Sequence, residues 1–117
     1  MFVVGTVRDH VAPWKSTYKI HDQVEADVTY LLTSGGHNTG VVAPPNEPGH
    51  SFQVKTKPED ARYMGPDEWL KAAPRVEGSC WPEWTKWLTA RSGEPCEPPR
   101  MGGGQSLPDA PGDYVRQ

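Results

Sequence analysis

"DVTYLLTSGGH", residues 27–37, decides the fold. Its first seven residues are β-branched, aromatic and aliphatic, which suits a strand. Ser34, Gly35 and Gly36 end that run, and a histidine follows at once. Upstream, "FVVGTV" (2–7) is a near-continuous apolar run of the kind buried on both faces in a parallel sheet. Between the two, "APWKSTYKIHDQV" (12–24) reads as a helix. Pro13 suits its first turn, where a missing N–H costs nothing. Trp14, Tyr18 and His21 share one face. Strand, helix and strand in so short a stretch form a βαβ unit, whose strands are expected to be parallel with a right-handed crossover.

The unit puts chemistry-bearing residues on one edge. Ligands of open α/β sheets gather at the carboxyl ends of the strands. Asp9 and His10 follow the first strand, and His37 follows the second. Neighbouring strands lie about 4.8 Å apart, so a carboxylate and an imidazole placed there can hydrogen-bond. An acid that orients a histidine base is what acyl transfer through a nucleophile requires. Glycine before His37 lets the backbone turn sharply. The pattern leaves two other readings open. Asp9 also suits a helix cap or a solvated turn, and His37 a turn histidine bonded to a backbone carbonyl. His10 reads as a loop neighbour, His21 as a helix-surface residue and His50 as a loop-surface residue.

Outward from this unit the chain loosens. Residues 43–65 read as loop, with a short strand at "SFQVKT" (51–56). "GPDEWLKAAP" (65–74) reads as a short helix, with Asp67 and Glu68 at its positive end and Pro74 at its stop. "WPEWTKWLTARSG" (81–93) is a stronger helix, with Pro82 in the first turn and Gly93 as its C-terminal cap. Trp81, Trp84 and Leu88 form an apolar stripe that Trp87 extends. The stripe reads as a packing face. Where the sheet beneath it is incomplete, it is partly exposed and invites self-association. Residues 94–117 have no periodicity and read as a flexible Pro/Gly-rich tail. The expected organisation is one α/β body over 1–93 and a tail over 94–117.

Composition narrows the function classes. The net charge of −3 over 117 residues gives no general nucleic-acid surface. Thirteen prolines and 12 glycines limit the core, whereas five tryptophans are too many for a disordered chain. Two cysteines, Cys80 and Cys96, fit neither a zinc motif nor a disulfide framework. No signal peptide or membrane-spanning run is visible. The default is a cytoplasmic protein with free thiols, no cofactor and no metal.

Three motifs in order carry a family resemblance. "VRDHVAPWKSTYKIH", "LLTSGGHNTGVVAPP" and "EGSCWPEWTKWL" together resemble the C-terminal part of the poly(3-hydroxyalkanoate) synthases, members of the α/β-hydrolase superfamily. The similarity runs from Phe2 to about Gly93, and "APGDYV" resembles the family's usual ending. Cys80 stands where the family usually has an aromatic residue. The resemblance implies an acyltransferase that polymerises hydroxyacyl groups from coenzyme A thioesters through a cysteine in a Gly-x-Cys-x-Gly elbow. It implies that Asp9 is the catalytic aspartate and His37 the general base. It also implies that His10 supports the aspartate without acting on substrate. The elbow is missing, and both cysteines follow His37. The chain is therefore expected to be a synthase segment, inactive alone. Its implied partners are the N-terminal part of the synthase, hydroxyacyl-CoA and the polyester chain, with a place in the cytoplasm at polyester granules. The alternatives are a small binding or granule-associated protein that uses the Trp helix, and part of an ester or thioester hydrolase.

Overall fold

The computed structural model describes residues 1–99 and 108–117. The chain forms an α/β structure around a four-stranded sheet. Strands β1 (Phe2–Thr6), β2 (Val28–Thr33), β3 (Ser51–Lys57) and β4 (Arg75–Glu77) lie in that spatial order. As the βαβ reading requires, β1 and β2 are parallel, with Val3 opposite Tyr30 and Thr6 opposite Thr33. β3 returns antiparallel to β2, and β4 antiparallel to β3.

The crossover between β1 and β2 is not the single helix its pattern suggests. It holds one α-helical turn, α1 (Trp14–Thr17), then a 3-10 segment over Tyr18–Asp22. Ser16, Thr17 and Tyr18 in succession are poor helix formers, and the tighter 3-10 turn is the usual outcome in short connectors. Pro13 sits just outside the helix, in an extended conformation. Helix α2 (Pro66–Ala72) has Pro66 in its first turn and Asp67 and Glu68 at its positive end. Helix α3 (Trp81–Thr89) stops before Gly93, with Ala90 in the capping position, so the longer helix over 81–93 is not formed. Strand β4 has no periodic signal to announce it, being three exposed residues.

β2 is central, and its alternating side chains feed two cores. Tyr30 and Leu32 join Tyr18, Trp69 and Ala73 on one face, with Trp14 and Met64 packed against them. Leu31 joins Phe52 and Cys80 on the other, beside Phe2 and Val54. Each fully buried side chain of this size contributes about 1.5–3 kcal/mol. The first core is an aromatic cluster in which Tyr30 meets Trp69 edge-on, with ring centroids 5.3 Å apart. That geometry favours the positive ring edge against the negative face.

His21 belongs to this core and not to a helix surface. It is 6% exposed and stacks on Tyr18 at 4.2 Å. The face shared by Trp14, Tyr18 and His21 does turn inward, and that inward face buries the histidine. On the opposite side of the sheet, α3 packs through Trp87, whose ring lies 5.5 Å from Phe2. The stripe itself stays in solvent: Trp81, Trp84 and Leu88 are 36%, 48% and 42% exposed. The 94–117 tail lies partly outside the described residues.

Candidate functional site

The ladder between β1 and β2 continues past both strands. Val7 N–H donates to Thr33 O at 3.0 Å, and Arg8 N–H to Gly35 O at 2.8 Å. These bonds draw the two outgoing segments together. Residues 36–42 then fold back, with Gly40 N–H donating to Gly36 O and Val41 N–H to Asn38 O. The turn depends on two glycines. Gly35 has a φ of +149°, and a Cβ there would stand 2.7 Å from the Gly40 backbone. A Cβ on Gly40 would run into the side chains of Thr6 and Thr33. Gly36 has no such requirement, so only the first glycine before His37 sets the turn.

The turn places His37 against Asp9, with Nδ1 2.9 Å from Oδ2. Asp9 is also a turn residue, as its alternative reading has it. Its Oδ1 accepts from Val11 N–H at 2.8 Å and Ala12 N–H at 2.9 Å, and the Thr6 hydroxyl donates to Oδ2 at 3.4 Å. The two readings of Asp9 are therefore compatible, one for each carboxylate oxygen. The backbone bond from Ala12, then the bond from His37, lower its pKa from 3.8 to about 2. An ionised carboxylate only accepts, so Nδ1 of His37 carries the hydrogen, and in the neutral ring Nε2 is the nitrogen with the free lone pair. The Asp9 side chain is 8% exposed and that of His37 is 47% exposed, so the oriented imidazole meets solvent.

The other candidates are dispersed. His10 is exposed and makes no side-chain hydrogen bond among the described residues. His50 is half-buried beside Glu47, with 3.8 Å between Nε2 and Oε1. His21 Nδ1 lies 2.9 Å from Tyr18 O, while its buried Nε2 has no partner among the described residues; burial lowers its pKa from 6.5. Cys80 is buried beside Leu31 and Phe52, and burial raises its thiol pKa, opposite to what a nucleophile needs. Cys96 is exposed. Among the described residues no group of three His, Cys, Asp or Glu side chains is placed to hold a metal. None of the described helices is long and apolar enough to cross a membrane.

One supporting contact has no signal in the sequence beyond the motif that contains it. The Ser79 hydroxyl donates to Ala43 O and accepts from Trp81 N–H at 3.1 Å. Trp81 Nε1–H donates to Val41 O at 2.7 Å. The start of α3 thus fastens the loop that follows His37, and Ala43 is 1% exposed beneath it.

No family model matches the chain. Individual proteins do. The chain is 36% identical over 97% of its length to poly(3-hydroxyalkanoate) polymerase 2 of Ectopseudomonas oleovorans. It is 38% identical over 99% to the poly(3-hydroxyalkanoate) polymerase of Methylorubrum extorquens. It is 30% identical over 98% to the poly(3-hydroxyalkanoate) polymerase subunit PhaC of Cupriavidus necator. In each case it spans only about a fifth of the relative, at 20%, 19% and 19% of its length. With nearly every residue of the chain inside the match, the chain belongs to the poly(3-hydroxyalkanoate) polymerase family, as a segment of such a protein.

Proposed function

We propose that this segment supplies the acid and base of an acyl-transfer site that is completed by a cysteine thiol from the rest of a polymerase. The 2.9 Å contact between His37 and Asp9 carries the reading. Nε2 of His37 takes the proton of the thiol. The thiolate attacks the carbonyl carbon of a hydroxyacyl-CoA thioester. Coenzyme A then leaves as thiolate and recovers the proton from the imidazolium. Asp9 holds the ring so that Nε2 faces the reaction, and it stabilises the positive charge. The names of the relatives support a polyester as the product. The N-terminal part of the polymerase, the hydroxyacyl-CoA substrate, the growing polyester chain and a place at the granule all belong to this proposal, as does membership of the α/β-hydrolase superfamily. A supporting role for His10, the exposed neighbour of Asp9, belongs to the same proposal.

The test is complementation. Mixed with a chain that carries the Gly-x-Cys-x-Gly elbow, the segment should raise the release of free CoA thiol, and His37→Ala should abolish the gain. By itself it should release none. CoA release by the chain alone that disappears in His37→Ala would overturn the need for an outside thiol. No gain on mixing would count against complementation.

A second reading rests on a separate observation, the exposure of Trp81, Trp84 and Leu88. Here α3 serves as a non-enzymatic contact with a polyester surface or a second copy. Cosedimentation with polyester particles that is lost in Trp84→Glu would favour it, and retention in that variant would exclude it.

A further inference from the structure

A cavity of about 240 Å³ opens at the other end of the sheet from His37. Its apolar wall is Tyr18, Met64 and Trp69, and its cations are Lys55, Lys57 and Arg62. The place follows from the register. Lys57 pairs with Val28 and Lys55 with Tyr30, at the start of β2, whereas His37 lies beyond its end. No acidic side chain lines the cavity. None of the three cations forms an ion pair among the described residues. In a chain of net charge −3, three cations without an ion-pair partner among the described residues gather around one apolar hollow.

Each cation has a distinct place. The Lys57 ammonium donates to Pro58 O and Glu59 O, both at 3.1 Å. It is thereby held beside the cavity with one hydrogen still to give. Lys55 and Arg62 are exposed and free to close on a ligand. The wall behind them is fixed: Tyr18 donates its hydroxyl hydrogen to Met64 O at 2.9 Å, and Trp69 is 2% exposed. The Trp69 indole N–H has no hydrogen-bond partner among the described residues. An apolar body with one anionic end satisfies both halves of this hollow. At roughly 30 Å³ per water-sized group, the volume admits about eight such groups. Hexanoate is of that size.

We propose that this cavity is a binding site for a short aliphatic carboxylate, with the chain against Tyr18, Met64 and Trp69 and the carboxylate between Lys55, Lys57 and Arg62. The site is separate from the Asp9–His37 pair and does not depend on its role.

Hexanoate titrated into the full chain should shift the Trp69 indole N–H resonance in a saturable way. Lys55→Gln and Arg62→Gln, both at exposed positions, should each weaken binding by about tenfold, the loss of one charge-assisted hydrogen bond. Hexanol, which has the body without the charge, should bind at least about tenfold more weakly than hexanoate. His37→Ala should bind hexanoate unchanged. An indole resonance that hexanoate leaves unmoved, equal binding of hexanol, or unaltered affinity in both glutamine variants would each overturn the proposal.

Discussion

His21 and His37 lie at opposite ends of one βαβ unit and meet opposite environments. His37 stands past β2, half in water, with a carboxylate on Nδ1. His21 lies in the crossover, 6% exposed, with a backbone carbonyl on Nδ1 and, among the described residues, no hydrogen-bond partner on Nε2. A carboxylate partner orients the ring and fixes which nitrogen carries the hydrogen. Burial makes His21 resist protonation, against the opposing pull of the Tyr18 carbonyl. The difference lies in the partner and the surroundings, since the residue is the same.

The largest expected effect tests the pairing. In a polymerase reconstituted with this segment, Asp9→Asn should lower CoA release by roughly 10³–10⁴-fold, because the amide favours the wrong tautomer of His37. The fold should survive, as circular dichroism would show. Activity close to that of the parent would break the comparison at its catalytic end.

Next comes the core that encloses His21. Trp69→Ala should cost about 3–5 kcal/mol, the usual range for removing a buried tryptophan, whereas Trp84→Ala should change stability by less than about 0.5 kcal/mol. Urea unfolding of both variants checks this, and equal losses would mean that α3 is buried in solution. A smaller effect is expected at the turn before His37. Gly35→Ala should cost about 1–3 kcal/mol, since it meets both a disfavoured φ and the Gly40 backbone. An NMR spectrum of that variant should show the His37 ring released from Asp9.

Acid should separate the two ends by pH. The folded-state pKa of His21 is lowered from 6.5, so the unfolded chain gains its proton first. The stability this neutral histidine contributes is complete above that value and is lost as pH falls below it. The pKa of Asp9 is lowered from 3.8 to about 2 by the bonds from Ala12 and His37, so the stability its ionised carboxylate contributes is lost only as pH falls through that lower window. Melting temperature followed from neutral to acid should therefore drop in two stages. His21→Gln should remove the first and Asp9→Asn the second. A single stage that both variants leave intact would show that neither group governs acid stability.

Sequence reading found the parallel pair and the meeting of Asp9 with His37, because strand order alone carries both residues to one edge. It placed β3 and the start of α2 by turn residues and strand formers. It missed what depends on neighbours distant in the chain. Periodicity turned His21 inward with Trp14 and Tyr18, but only the packing of Tyr30 and Trp69 shows that this face is sealed. Periodicity also gave α3 its stripe, yet a stripe is buried only where something covers it, and here Trp81, Trp84 and Leu88 stay exposed while Trp87 meets Phe2. Gly93 looked like a cap by residue type, while the helix ends at Thr89.

The fastening of the loop after His37 bears on how such segments can diverge. Ser79 and Trp81 hold it through the carbonyl oxygens of Ala43 and Val41, not through their side chains. Every residue has a carbonyl. Substitutions at Val41 and Val42, which are 43% and 66% exposed, should therefore accumulate without disturbing the loop. Ser79 and Trp81, whose side chains make the bonds, have no comparable freedom. The tolerance for change is one-sided: wide at Val41 and Val42, narrow at Ser79 and Trp81.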